Sequence, residues 1–383
     1  MGPLPSFAVP GSRFGDYTVR ELVYQGRRSV VVRCLQSGVP VVVKFLRRAQ
    51  LGPGDVARFR REYELSRRMR HTHVVSANTL DSHGGVLFLA MPDDGAVSLR
   101  SQLQHGPLPL ADALHIAIAL VDALEAIHGH NILHKDIAPS NIITDLAHGI
   151  VKLIDFGIAA DTSVERPQAT SLRDLEGTLA YMAPEQTGRM HRDLDYRADF
   201  YALGATLFEL LTGSPPFGPS HDPVQAVHAH LALTPQPAHS LRLDVPPVLS
   251  SLVARLLAKD PEARYQNHQV LRRDLLRILQ HLHEPQALSA MMLAQGDLSE
   301  RFQVSGRLYG RADSVHRMLE AFEAAATGPA QTVTIAGVSG IGKTALVNEV
   351  QRSLLGHRGH MVSGKFNQFG QHTPCAAFVQ ALE

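Results

Sequence analysis

Apolar and polar positions change their rhythm twice along this chain of 383 residues. Between residues 16 and 90 the apolar residues gather in β-branched runs, Tyr17–Tyr24, Ser29–Leu35 and Val39–Leu46. Turn-forming Gln25-Gly26 and Ser37-Gly38 separate them, so three strands are predicted. Gly52-Pro53-Gly54-Asp55 breaks the pattern, and Asp55 is expected to cap a helix running to about Arg70. Val86–Met91 predicts another short strand. From Pro109 the period is helical. Leu110–Gly129 sets Leu114, Ala117, Val121, Leu124 and His128 on one stripe, and Asp199–Gly213 does the same with Tyr201, Leu207 and Leu211. Residues 284–305 read as a connector with a weak helical pattern. Near Leu308 the order becomes helix (Asp313–Ala326), Gly-Pro turn, strand (Gln331–Ala336), glycine loop, helix (Lys343–Leu355) and strand (Met361–Lys365). That order implies a parallel sheet.

Composition narrows the classes. At roughly 150 residues per domain the length predicts two or three domains. Lys+Arg 37 against Asp+Glu 36 excludes a polyanion-binding role for the chain as a whole, and 44% hydrophobic residues exclude a disordered one. No apolar run approaches the roughly 20 residues of a membrane span. The start of the chain, Met1 to Phe14, lacks the pattern of an export signal. Cys34 and Cys375 stand far apart and form no CxxC pair, which suits a reducing compartment, and the expected location is cytoplasmic.

Two constellations carry chemistry. In Ile132-Leu-His-Lys-Asp-Ile-Ala-Pro-Ser-Asn141 a carboxylate and an amide lie five residues apart. Lys152-Leu-Ile-Asp-Phe-Gly157 follows, and then Ala183-Pro-Glu185. In chain order these match the catalytic loop, the metal-binding turn and the Ala-Pro-Glu element of protein kinases. Phosphoryl transfer needs a carboxylate to align the acceptor hydroxyl and oxygen ligands to hold magnesium on the phosphates. Asp136 is expected in the first role, Asn141 and Asp155 in the second. Lys44 ends an apolar strand and needs a counter-charge, and Glu62 falls on the inward stripe of the helix after it. They are expected to pair and hold ATP phosphates.

Residues 16–282 thus resemble a bacterial Ser/Thr protein kinase domain of eukaryotic type. Gly177-Thr-Leu-Ala-Tyr-Met-Ala-Pro-Glu-Gln-Thr-Gly-Arg189 and Tyr196-Arg-Ala-Asp-Phe-Tyr201 are similar to one subgroup. Its members are large signalling proteins joining such a kinase to a P-loop ATPase and, often, GAF and histidine kinase regions. The resemblance implies a bilobal α+β kinase fold with a tail at 1–15, an N-lobe at 16–91, a hinge at 92–95 and a C-lobe at 96–282. It further implies that Gly26, Val31, Met91 and Asp93 contact ATP alongside Lys44, Asn141 and Asp155. Thr170, Ser171 and Thr178 are assigned to the activation loop, and Arg264 to a pair with Glu185. There are departures. Tyr24, Gly26 and Ser29 occupy the glycine-loop positions, so one glycine survives of three. Ala138 stands where Ser/Thr kinases carry a lysine, which removes a cation from the transferred phosphate. Lys135 replaces the usual arginine before Asp136. A slow kinase acting on protein Ser/Thr is expected. A nucleotide-binding pseudokinase, and a sensor ATPase using the kinase fold as a platform, remain the alternatives. The nine Lys/Arg against three acids between Lys44 and Arg70 suit a solvated helix face near a phosphorylated loop, and no nucleic-acid partner is expected.

Gly337-Val-Ser-Gly-Ile-Gly-Lys-Thr344 fits the P-loop pattern in full. Gly337, Gly340 and Gly342 would let amides wrap a polyphosphate, with Lys343 on the terminal phosphates and Thr344 on magnesium. Tyr309-Gly-Arg311 and Ser363-Gly-Lys-Phe-Asn-Gln-Phe369 resemble the AAA/STAND-type ATPase of the same subgroup. Residues 306–383, after a linker at 283–305, are therefore expected to form the first part of an α/β P-loop NTPase. After Thr344 the acids are Glu349 and Glu383, neither ending an apolar strand. With no Walker B carboxylate, the chain is expected to be a fragment of a longer signalling protein or a truncated gene product.

Overall fold

Alternating burial makes the first sheet. In β3 (Ser29–Gln36) and β4 (Val39–Leu46), Val30, Val32, Cys34, Val41, Val43 and Phe45 face inward at every second position. With β1 (Arg13–Phe14), β2 (Tyr17–Gln25), β5 (Thr79–His83) and β6 (Val86–Pro92) they form a six-stranded antiparallel sheet of order β1-β2-β3-β4-β6-β5. Phe14, Phe45 and Phe88 fill its inner face with ring centroids 5.1 to 5.7 Å apart. Helix α1 (Asp55–Arg68) crosses between β4 and β5 and buries Phe59, Glu62, Leu65 and Ser66. Asp55 does not cap this helix. Gly54 takes the N-cap position, and the Asp55 carboxylate turns to Arg28 at 3.9 Å.

This computed structural model describes residues 6–26, 28–47, 54–162, 179–187, 194–218, 222–298, 310–338, 341–343, 346–347 and 350. Thr170, Ser171, Thr178, Gly340 and Thr344 lie outside them, as do the expected strand Met361–Lys365, the segment Ser363–Phe369 and most of the expected helix Lys343–Leu355. The chain divides into two compact units at residues 301 and 302.

The rest of the first unit is mainly helical. After β7 (Val97–Ser98) and α2 (Leu99–Gln102), α3 spans Leu110–Gly129, the range its periodicity predicts. Short strands β8 (Ile132–Leu133), β9 (Ile142–Asp145), β10 (Ile150–Leu153) and β11 (Ala160–Asp161) carry the catalytic-loop motif and the turn after it. Helix α4 (Arg197–Thr212) is buried on all sides, and its buried charges Arg197, Asp199 and Glu209 are each paired within the protein. Gly204 lets it approach the helix that ends at Leu256 closely, since a Cβ there would fall 2.6 Å from Leu256 Cβ. Gly213, at φ +82°, closes α4 in the left-handed conformation that glycine adopts freely. Helices α5 (Pro223–Ala232), α6 (Ala238–Leu241), α7 (Pro247–Leu256) and α8 (His268–Gln280) complete the lobe.

The connector is anchored in this unit. After α9 (Pro285–Ser289), the Ala294 N–H donates to Asp274 Oδ2 at 2.6 Å. Asp297 accepts from the Gln266 N–H at 3.0 Å and from Arg255 at 3.2 Å. In the second unit α10 (Ala312–Thr327) forms as its periodicity predicts. Residues 331–336 take no strand conformation, because none of the described residues offers them a partner strand. No helix among the described residues is long and apolar enough to cross a membrane.

Candidate functional site

Strand β4 delivers Lys44 to the inner edge of the sheet, opposite Val31 of β3 and Leu89 of β6. Its Nζ donates to Glu62 Oε1 of α1 at 2.6 Å and to Asp155 Oδ2 of the Asp-Phe-Gly turn at 2.9 Å. Three residues far apart in sequence therefore share one ion cluster. Burial lowers the affinity of Lys44 for its proton, but the Asp155 and Glu62 carboxylates outweigh it, and Lys44 is held cationic well above its ordinary range. Burial, reinforced by Asp155, pushes Glu62 up to about 7 against the pull of Lys44. Asp155 is raised by desolvation, yet Lys44 and the Gly157 N–H bring it net below the ordinary carboxylate value. Arg68 ties the far end of α1 to Asp161 at 2.5 Å.

The loop carrying Asp136 is held from beneath. Asp199 at the start of α4 accepts from the His134 N–H at 2.9 Å and the Lys135 N–H at 2.7 Å. His128 Nε2 lies 2.8 Å from the same carboxylate, and its Nδ1 lies 2.7 Å from His268 Nε2. Burial works to raise Asp199, but His128 and the loop amides hold it below the ordinary value. Within the loop, the Asp136 N–H donates to His134 Nδ1 at 3.3 Å and Asn141 Nδ2 donates to the Asp136 carbonyl at 3.0 Å. Lys135, immediately before Asp136, and Asp155 of the Asp-Phe-Gly turn have φ of +67° and +68°. Non-glycine residues hold such angles at a cost of about 1–3 kcal/mol each, and only where their surroundings over-determine them.

The expected nucleotide contacts divide between places. Val31 lies in β3 opposite Lys44, and Met91 in β6 opposite Val42, two residues from Lys44 along β4. Gly26 is buried, its N–H donating to the Ser29 carbonyl at 2.9 Å and its own carbonyl accepting from Arg47 at 2.8 Å. Asp93 engages both carboxylate oxygens within the protein, with Arg33 at 3.2 Å and the Gly95 N–H at 2.9 Å. Glu185 pairs with Arg264 as the resemblance implies, in two bonds of 2.6 and 2.8 Å. Ala138 is fully buried. Motif reading passed over Arg47 and Gln186, because neither residue carries reactive chemistry of its own. In the second unit Lys343 Nζ donates to the carbonyls of Gly337 and Val338 at 2.8 and 2.9 Å, and Gly342 has φ +94°. In the described part of that loop the Lys343 ammonium is thus bound to the loop's own carbonyls.

A strand lysine clamped to a helix glutamate, above a loop anchored on a buried central helix, defines the protein kinase fold. Residues 17–276 match the protein kinase domain, and the chain belongs to the protein kinase family. Residues 307–383 match the AAA ATPase domain. The chain is 34% identical over 259 residues to the serine/threonine-protein kinase PknE of Mycobacterium bovis, covering 67% of this chain and 44% of that protein. It is 36% identical over 271 residues to PknD of Mycobacterium tuberculosis, covering 68% and 40%. The chain thus spans less than half the length of these relatives. The crystal structure of the Mycobacterium tuberculosis PknI kinase domain superposes with TM-score 0.52 at 25% identity, covering 70% of this chain and 98% of that one.

Proposed function

We propose that this chain transfers the terminal phosphoryl group of ATP to Ser or Thr hydroxyls of a protein substrate. The single observation behind the reading is Lys44 seated between Glu62 and Asp155 at 2.6 and 2.9 Å. Lys44 would neutralise the nucleotide phosphates, with Glu62 fixing its position. Asp136 would accept the hydroxyl proton and orient its oxygen towards phosphorus. Asp155 and Asn141 offer hard oxygen donors, which fits magnesium, an ion that takes one or two protein ligands and completes its shell with water and phosphate oxygens. The Asn141 amide nitrogen is committed to the Asp136 carbonyl, so the oxygen is the atom it offers a cation. When bound, the ion would neutralise charge on the phosphates. Gly337, Gly340, Gly342, Lys343 and Thr344 would hold a second nucleotide in the AAA unit.

Buried Ala138 and the single remaining glycine favour a second reading, a protein that binds nucleotide without transferring phosphate. One assay separates them. The purified chain with labelled ATP, magnesium and dephosphorylated casein should yield phosphoprotein, and Asp136→Asn should lower the rate by about 10²- to 10⁴-fold, the contribution of a positioned base. Nucleotide binding with no label transfer from the unaltered chain would establish the second reading instead.

A further inference from the structure

Gln186 follows the Ala-Pro-Glu element and is 1% exposed. Both ends of its amide are engaged. Oε1 accepts from the Ala183 N–H at 2.9 Å, and Nε2 donates to the Lys135 carbonyl at 2.9 Å. Lys135 is the left-handed residue immediately before Asp136, and its own N–H is bound by Asp199. The peptide groups on either side of this backbone angle are therefore held by two buried side chains from different segments. Asp199 belongs to the central helix, and Gln186 to the stretch 179–187. A leucine or methionine would fill the same volume, so packing does not account for an amide here. Two hydrogen bonds in opposite senses do, because only an amide presents an acceptor and a donor on one planar group.

We propose that Gln186 is a positioning residue for phosphoryl transfer. It locks the backbone preceding Asp136 and couples the aim of that carboxylate to the 179–187 segment. The inference rests on the phosphoryl-transfer reading above. Gln186 bonds to Ala183 and Lys135 and not to Lys44, Glu62 or Asp155, so its effect falls on transfer and not on nucleotide grip.

The test uses the whole chain with ATP, magnesium and dephosphorylated casein, comparing Gln186→Leu and Gln186→Glu with the unaltered protein. Gln186→Leu should lower kcat about tenfold, the rate equivalent of one lost neutral hydrogen bond, and leave the KM for ATP within about twofold. Gln186→Glu keeps the acceptor for the Ala183 N–H but sets an ionised oxygen against the Lys135 carbonyl. Its rate relative to the unaltered chain should therefore rise as pH is lowered, since a protonated carboxyl regains a donor. A side chain that merely filled space would give no such pH dependence. Hydrogen exchange of the peptide 132–141 should be faster in Gln186→Leu, with α4 unchanged. Unaltered kcat and exchange in both variants, or a Gln186→Glu deficit constant with pH, would overturn the inference. If the unaltered chain transfers no phosphate, the kinase reading falls by itself. Exchange at 132–141 then decides the anchoring: faster exchange supports it and unchanged exchange refutes it.

Discussion

Arg264→Met should be among the most damaging single substitutions in the first unit, although the residue touches no reacting group. Arg264 is fully buried and spends its guanidinium on five acceptors. Two are the Glu185 oxygens at 2.6 and 2.8 Å, and three are the carbonyls of Ala258, Arg197 and Lys259 at 2.8, 2.8 and 3.3 Å. Methionine fills much of the space but leaves Glu185, 2% exposed, as a buried carboxylate without its partner. Removing one member of a buried pair costs about 3–5 kcal/mol. At about 2–4 °C per kcal/mol for a unit of this size, the melting temperature should fall by roughly 6 to 20 °C. Differential scanning calorimetry of the whole chain measures it. Adding Glu185→Leu to Arg264→Met should restore part of the loss, because the stranded charge goes with it. A drop below about 2 °C in the single variant, or a double variant no more stable than the single, would refute the argument from buried charge.

Glu62→Ala should raise the KM for ATP more than it lowers kcat, because Lys44 then swings towards Asp155 alone; an unchanged KM in steady-state assays would remove the clamp from the mechanism. His230 is 1% exposed, and burial, helped by Lys259, lowers it to about 4, so it folds neutral. Its folded affinity for protons is below the unfolded one, so the stability present above pH 6.5 is lost as pH falls towards 4. The loss is about 3 kcal/mol in all, and the His230→Gln variant should show a flatter melting-temperature profile over that range. Gly204→Ala should destabilise by about 1–3 kcal/mol in chemical denaturation, since its Cβ would enter Leu256; an unchanged midpoint would show that α4 and α7 can separate freely.

How much of this was legible in sequence depended on the range of the interaction. Helix α3 ended where its stripe ended, because twenty residues of periodic burial leave little choice. The Lys44–Glu62 pair was legible because each is a lone charge in an apolar pattern. The position of Asp55 differs from the expected cap because a cap and an ion pair compete for one carboxylate, and Arg28 lies two strands away in sequence. Residues 331–336 carry the composition of a strand, but strand conformation requires a neighbour, which composition does not supply. The anchors Gln186 and Asp297 gave no signal, since a buried amide or carboxylate reads as an ordinary polar residue until its partners, 51 and 31 residues distant, are known.

Asp199 sits in a helix buried on all sides and holds the loop before Asp136 by two backbone N–H groups. Lys44 and Glu62 ride on the sheet and α1, and among the described contacts they meet the helical lobe at Asp155. On the proposed phosphoryl-transfer reading, grip on the nucleotide and aim at the acceptor would thus be two instruments with separate mountings. Drift in the sheet-side mounting loosens the grip without disturbing the aim. Tyr24 and Ser29 in place of glycines belong to the sheet side alone. A weakened grip is a deficit of occupancy, which abundant ATP can make good, whereas a misaimed base would be beyond the reach of any concentration. Tyr24 and Ser29 are departures on the side where concentration compensates, whereas Lys135 and Ala138 lie on the other.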